Sequence, residues 1–314
     1  MISQTAIGFL EQLACEGVQS WLTPDRSTSG DPAQLLPYAL AATPGSVRGV
    51  ALHGDVPPDL AAVRLLCERL EDPPSPQGGP AGHVSAPLDP ALAHDADGLV
   101  SASRALRSAV GRENLLVQIP ATEAGAEAMA ECLAHGLPVD ATLICTTRQC
   151  DRVFDAFLTG MERALITGHA LQSIRTVLSC PVNLVDGLAA PSAAGVATAR
   201  LLYRLRERRL DSTWWGVLRA AQAPPPALLW TDLRPHHAAR LVGWNTGMVF
   251  APRTLEETAW TSELAGDALL NRHREGEREL AALTPTGSGR VTADEAVTAE
   301  LMRRRRAWSA ALRR

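Results

Sequence analysis

Several polar side chains stand within or just after short apolar segments, where they could act together on a bound molecule. Asp140 and His53 are the candidate proton carriers, because imidazole titrates near neutral pH and a carboxyl group enclosed by apolar residues is shifted towards it. Gln118, Thr142 and Ser179 are interpreted as hydrogen-bond donors to a carbonyl or a developing oxyanion. The further candidate ligand contacts are Ser85, Asn183, Trp230, Asp232 and Asp55. This set predicts general acid–base catalysis, with Gln118 as a third catalytic residue.

Each assignment has a structural alternative. Gln118 could fill space and bond to neighbouring strands. Asp140 could be a structural carboxylate with partners that offset the cost of burying its charge. His53 could belong to a turn made by the Gly-Asp pair that follows it. Trp230 could be a stacking wall for a planar or sugar-like ligand, or part of the core.

Lysine is absent, because all 30 residues counted as lysine plus arginine are arginine. Arginine stays protonated and does not form an imine with a carbonyl compound as a lysine amine does. Any reaction that needs a side-chain Schiff base is therefore excluded.

The composition indicates a cytoplasmic globular protein, with 46% hydrophobic and 20% charged residues and no apolar run long enough to span a membrane. The formal net charge of −4 predicts no nucleic-acid partner, and the run 303–306 of arginines is interpreted as a solvated helix end. No CxxC pair occurs, so most of the six cysteines, including Cys145 and Cys180, are expected to be reduced core residues.

Short β-branched apolar segments alternate with helical patterns, which is typical of βα units around a parallel sheet. Eight such units predict a closed (β/α)8 barrel of the α/β class. The predicted strands are 17–22, 49–54, 82–88, 114–121, 138–146, 175–186, 227–233 and 247–252.

One barrel domain is expected over residues 1–314, with 254–314 as a C-terminal helical extension packed on it. The Pro- and Gly-rich segment 71–82 is interpreted as a loop inside this domain. The clearest helix follows the fourth strand: Thr122 is its expected N-cap, and Gly136 marks its end.

The segment 82–190 resembles the central half of a transaldolase, whose strands read approximately VSLEVDP, LMIKIPAT and VNVTLIFS, against "HVSAPLDP", "LLVQIPAT" and "PVDATLICT" here. Weaker similarity is present in "GVQSWL", "LLWTDL" and "MVFAPRTLEETA". This resemblance implies a transaldolase-type barrel. It also implies that Gln118 stands where the family has the strand-four lysine that forms a Schiff base with a ketose phosphate.

The resemblance places other replacements at the family's functional positions. The first-strand aspartate corresponds to Thr23, the second-strand asparagine to His53, and the third-strand glutamate to Pro87. The fifth-strand asparagine corresponds to Asp140, and the arginine that holds the substrate phosphate corresponds to Leu184. The retained family residues are Thr142, Ser179 and Asp186. These changes imply the loss of transaldolase activity and an unphosphorylated substrate.

Two hypotheses remain. The first is a lysine-independent enzyme of specialised, natural-product metabolism that performs a bond-forming, cyclising or isomerising step on a small molecule. It predicts an open cavity in which two or more of Asp140, His53 and Gln118 face one point. The second is an inactive pseudo-transaldolase that serves as a binding or scaffold protein, with its barrel mouth filled by large side chains.

No cofactor and no metal are expected. The adjacent His236 and His237 are predicted to lie in a helix, where neighbouring side chains diverge and rarely bind one ion. A small-molecule substrate is the expected partner, nucleic acid and membrane are not, and the sequence leaves monomer and homodimer open.

Overall fold

Eight parallel strands form a closed barrel in the computed structural model, in which each strand pairs with the next along the chain and the last pairs with the first. The structure describes residues 2–25, 35, 47–71, 82–188, 194–283 and 292–313. The predicted loop at 71–82 lies almost wholly outside them. The strands are β1 Val18–Leu22, β2 Val47–Ala51, β3 His83–Pro87, β4 Leu115–Pro120, β5 Val139–Thr142, β6 Thr176–Pro181, β7 Ala227–Thr231 and β8 Thr246–Phe250. The predicted (β/α)8 fold is confirmed.

The largest differences from the predicted strand bounds are at the ends of β5 and β6, and β2 lies at Val47–Ala51 instead of 49–54. β5 stops at Thr142 instead of residue 146, and Leu143 then takes a positive φ of 60°. β6 stops at Pro181 instead of residue 186, and a short helix over 182–186 follows directly. A proline lacks the N–H that a strand ladder needs, which explains why the apolar run does not continue as a strand.

Helices surround the barrel and continue beyond its last strand. Within the described residues they are α1 Gln4–Cys15, α2 Leu60–Glu71, α3 Ala96–Val110, α4 Glu123–Ala134, α5 Thr147–Ile166, α6 Val182–Asp186, α7 Ala194–Leu210, α8 Thr213–Ala220, α9 Pro252–Thr261, α10 His273–Ala282 and α11 Ala293–Ala311. The hydroxyl of Thr122 accepts the Gly125 N–H at 2.9 Å, as its predicted capping role requires. None of the described helices has the length and apolar character needed to cross a bilayer.

The barrel interior is layered, and this layering positions the candidate site. Alternate residues of a strand point into the barrel, and one buried apolar cluster gathers side chains from six strands: Trp21, Ala51, Leu116, Val177, Leu229 and Val249. Moving two residues towards the carboxyl end leads from Leu116 to Gln118 and from Val177 to Ser179. The polar candidates therefore lie directly above an apolar floor.

Gly125 gives the helix that follows β4 its close approach to that strand. A Cβ at this residue would lie 1.9 Å from the Pro120 carbonyl oxygen and 2.9 Å from the Thr122 hydroxyl oxygen. We expect Gly125→Ala to lower the free energy of unfolding by about 1 to 3 kcal/mol in urea denaturation, because backbone has to shift. Gly8→Ala in α1 is the matched control. A Cβ there meets nothing within 4 Å, so stability should rise by roughly 0.5 to 1 kcal/mol. Equal effects of the two changes would contradict this account.

Candidate active site

A cavity of about 620 Å³ opens at the carboxyl ends of the strands. Seven of the residues singled out in the sequence line it: His53, Gln118, Asp140, Thr142, Ser179, Asn183 and Asp232. Trp230 does not, because it is fully buried and packs with the core outside the barrel. Its neighbour Leu229 faces inward instead. The predicted stacking role of Trp230 is therefore wrong.

Asp140 is held by two hydroxyl groups inside the barrel. Ser85 donates to one carboxylate oxygen and Ser179 to the other, each at 2.6 Å, and the aspartate side chain is almost fully buried. Burial raises the pKa of Asp140 above its ordinary value, although the two serine hydrogen bonds act in the opposite direction. No cation is paired with this carboxyl group among the described residues, so it can exist as a neutral acid as well as a carboxylate.

The two serines differ in what they can reach. Ser179 lines the cavity, but Ser85 is completely buried and does not. Direct contact of Ser85 with a ligand is therefore wrong, and its observed role is to orient Asp140. Ser179 also does not have a hydroxyl hydrogen available for an oxyanion while Asp140 is ionised, because it donates to that carboxylate. Thr142 keeps its place on the cavity wall.

Gln118 offers the cavity a hydrogen-bond acceptor instead of the predicted donor. Its Nε2 donates to the carbonyl oxygens of Leu52 at 2.9 Å and Ser85 at 3.1 Å. Two carbonyl acceptors fix the amide orientation, since an amide oxygen placed there would be repelled by both. The amide hydrogens are used within the barrel, and the Oε1 side remains for a ligand. The predicted donor role of Gln118 is wrong, and an acceptor role replaces it.

His53 has a defined tautomer. Its Nε2 lies 2.6 Å from the Pro24 carbonyl oxygen and 3.4 Å from the Thr23 hydroxyl oxygen. Because a carbonyl only accepts, Nε2 carries a hydrogen. In the neutral ring the basic lone pair is then on Nδ1. The loop after β1 thus orients an imidazole that lines the same cavity as Asp140.

A second polar group forms the β6–β7 side of the mouth. The Asn183 amide donates to Asp232 at 3.3 Å and accepts from Arg234 Nε at 3.1 Å. Leu184 lines the cavity next to them. Asn183 and Asp232 therefore lie where they were expected, already bonded to each other.

Three charged residues of helix α11 line the cavity mouth and were not predicted from the sequence: Glu300, Arg303 and Arg304. The interpretation of 303–306 as a solvated helix end is wrong for Arg304, which is partly buried, whereas Arg303 is exposed but ion-paired. Arg303 donates to both oxygens of Asp55 and both of Glu300. This ion pair explains why Asp55 binds protein instead of lining the cavity.

The sequence does contain a signal for this placement. Val297, Leu301 and Trp308 are the buried apolar residues on one face of α11, and helical spacing puts Arg304 on the same face. Residues 305 and 306 fall on another face and border a surface groove with Met302 and Arg313.

Asp186, His236 and His237 come together beside the mouth, with ligand atoms within 4.8 Å of one another. The prediction that the two histidines diverge is wrong, because they occupy a 3-10 turn and their ring centroids are 4.2 Å apart. Both nitrogens of His237 are nevertheless engaged. Nδ1 accepts from the Arg234 N–H at 3.0 Å, and Nε2 lies 2.8 Å from Asp186. This arrangement suits a brace between α6 and the loop after β7 better than a metal site.

The candidate core cysteines follow the prediction. Cys145 and Cys180 are buried, and burial raises the pKa of Cys145 to about 12 and that of Cys180 well above its ordinary value. A thiol that stays protonated is a poor nucleophile.

Comparison with known proteins gives consistent results. The family model described as Transaldolase/Fructose-6-phosphate aldolase matches residues 60–250. A transaldolase of Parafrankia sp. (strain EAN1pec) is 32% identical over 82% of this chain and 76% of its own length. Transaldolase 2 of Streptomyces coelicolor is 31% identical over 92% and 90%. A transaldolase of Acidothermus cellulolyticus is 29% identical over 88% of each chain.

Proposed function

Since this chain belongs to the transaldolase family, we propose that it keeps the family's barrel but not the family's reaction. The proposed activity is lysine-independent general acid–base catalysis on an unphosphorylated small molecule. The proposed reaction is a bond-forming, cyclising or isomerising step of natural-product metabolism, as expected for a family barrel whose catalytic residues have been replaced.

One observation carries this proposal: Asp140, a buried acid with a raised pKa, lies at the floor of an open cavity. A carboxyl group tuned in this way can hold a proton nearer neutral pH and release it to a substrate, which is what general acid–base catalysis requires. No cation neutralises Asp140 among the described residues, so its ionised form stays disfavoured by burial and its neutral form stays accessible.

Ser179 gives Asp140 a route to the substrate. When Asp140 is protonated, its carboxyl hydrogen can be donated to the Ser179 oxygen, and the serine hydrogen then turns towards the cavity that Ser179 lines. Removal of a substrate proton reverses these steps: the serine oxygen takes the proton and its own hydrogen passes to Asp140. His53, whose ring is oriented by the Pro24 carbonyl, lines the same cavity and is the second proposed proton carrier.

Loss of transaldolase activity forms part of the proposal. The chain has no lysine for an imine, and the matched lysine position is Gln118, whose amide is bonded to two backbone carbonyls. Proline at residue 87 and leucine at residue 184 offer neither an acid nor a cation. Covalent activation and proton transfer each contribute several powers of ten to such reactions.

The charges at the mouth support a substrate without a phosphate group. Arg303 is saturated by two carboxylates, and Arg304 shares Glu300 with it. Arg234, the third arginine of the described lining, has its Nε bonded to Asn183, so none of the three presents all its nitrogens to a phosphate. The scaffold hypothesis predicts a filled mouth, and the open cavity favours the enzyme over it.

The test is comparative metabolite profiling. Purified wild-type protein and the Asp140→Asn variant are incubated with a small-molecule extract of the source organism, and mass spectrometry follows every compound over time. We expect one compound or a small set to be consumed by the wild type about 10²- to 10⁴-fold faster than by the variant. Equal consumption by both proteins, or none by either, would return the protein to the scaffold hypothesis.

A further inference from the structure

Helix α11 supplies a guanidinium group whose bonding is incomplete. Arg304 Nε donates to Glu300 at 2.9 Å, and within the described residues its two terminal nitrogens make no hydrogen bond. Its side chain is 17% exposed, and it lines the cavity. Arg303, one residue earlier, has every nitrogen engaged. Arg303 therefore anchors the helix, whereas Arg304 faces the cavity.

Arg304 is held in place at both ends of its guanidinium. Burial alone would raise the pKa of Glu300, but hydrogen bonds and charge from Arg303 and Arg304 lower it, so the carboxylate that fixes Arg304 Nε stays ionised. Gly54 lies against the other end, because a Cβ there would be 2.7 Å from Arg304 Nη1. A guanidinium fixed in this way loses little side-chain freedom when a ligand binds.

The location of Arg304 defines the ligand group it meets. Arg304, Gln118 and Thr142 line both the main cavity and a smaller cavity of about 30 Å³ beside it. Arg304 is thus on the β4–β5 side, away from the Asn183 and Arg234 group at β6–β7. Arg303 is paired with Asp55 and Glu300, so among these α11 residues the terminal nitrogens of Arg304 are the ones left to bind an anionic group.

We propose that Arg304 is a specificity-determining residue that binds a carboxylate of the substrate through its terminal nitrogens, so that the enzyme acts on a carboxylic acid. That the bound molecule is a substrate rests on the proposed function, but binding of its carboxylate does not depend on catalysis. A planar carboxylate matches the paired N–H groups of a guanidinium edge, and such charge-assisted bonds are about twice as strong as neutral ones. The carboxylate would place the rest of the molecule over Gln118 and Asp140.

The experiment measures binding of small probes by ligand-observed NMR. The probes are acetate, propionate and benzoate, their neutral amides, and inorganic phosphate. We expect the wild type to bind at least one carboxylate about 10-fold more tightly than its amide and than phosphate. Arg304→Gln should weaken that carboxylate about 10-fold, and Arg305→Gln, on the outer face of the same helix, should not. Gly54→Ala, which pushes the guanidinium away, is the second variant should Arg304→Gln fold poorly.

The variants separate this inference from the proposed function. In the Asp140→Asn background, Arg304→Gln should still weaken carboxylate binding about 10-fold, whatever the activity of that variant. Undiminished binding to Arg304→Gln or Gly54→Ala, equal binding of amide and carboxylate, or tighter binding of phosphate would overturn the carboxylate site. Carboxylate binding that depends on Arg304, together with metabolite profiles that are the same for wild type and Asp140→Asn, would support the site and overturn acid–base catalysis.

Discussion

Asp140→Asn is expected to stabilise the protein against unfolding, increasingly so as the pH rises. The pKa of Asp140 is raised in the folded protein above the ordinary value of 3.8. The wild type therefore has its full stability below the unfolded-state pKa and loses part of it as the pH rises through the folded-state pKa. An amide has no such ionisation, so the difference between the proteins grows over that window and then levels off. Each unit of pKa elevation corresponds to about 1.4 kcal/mol.

Urea denaturation followed by tryptophan fluorescence from about pH 2.5, below the unfolded-state pKa, to about pH 8.5 measures this difference. At the acidic end the variant should differ from the wild type only by the altered hydrogen bonds, because the introduced amide nitrogen would donate to a serine that now accepts. That constant offset is the internal control. A difference in unfolding free energy that does not change with pH would show that burial does not penalise the Asp140 carboxylate.

A buried residue that lowers the stability of the fold is expected to serve a purpose other than stability. Asp140 costs the fold stability above its own pKa, and Ser85 and Ser179 reduce that cost without removing it. Active sites commonly show this conflict between stability and chemistry. A variant that is both more stable and inactive in metabolite profiling would identify Asp140 as a functional group more firmly than either result alone.

The barrel was predictable from sequence because βα periodicity is a local property. The orientation of single strand residues was not. A strand of a parallel barrel is buried on both faces, so "ALLWT" does not reveal that Leu229 faces the interior and Trp230 faces the helices. The end of β6 had a local signal in Pro181 that outweighs the apolar run after it.

The sequence predicted which residues line the site, but not which of them donate and which accept hydrogen bonds. Inward-facing positions near strand ends gave Gln118, Asp140 and Ser179 correctly as cavity residues. The Gln118 amide is oriented by the carbonyls of Leu52 and Ser85, which belong to other parts of the barrel. Donor and acceptor roles of an amide depend on such tertiary contacts, which no sequence pattern specifies. The position of α11 at the cavity mouth likewise depends on tertiary contacts.

Gln118→Lys is expected to convert a protein that forms no side-chain imine into one that does. Residue 118 lines the cavity and is 7% exposed, so a lysine there would meet a small ketone that enters. Burial lowers the pKa of a lysine and increases its neutral fraction, although an ionised Asp140, its cross-strand neighbour, opposes this. The amine adds to the carbonyl carbon, water leaves, and borohydride reduces the imine to a stable secondary amine.

The measurement is intact mass after incubation with dihydroxyacetone and borohydride at about pH 9, where more of a lysine is neutral. Peptide mapping separates residue 118 from the N-terminal amine, which all variants share. Gln172→Lys, on an exposed turn, is the matched control for a solvated lysine. We expect a three-carbon adduct at residue 118, formed at least about 10-fold faster than at residue 172, and no side-chain adduct in the wild type. Turnover of a ketose phosphate should stay undetectable in Gln118→Lys, since residues 87 and 184 still supply neither acid nor cation. Slower labelling at 118 than at 172 would mean that the cavity does not admit a carbonyl compound to β4, and the acceptor role of Gln118 would lose its basis.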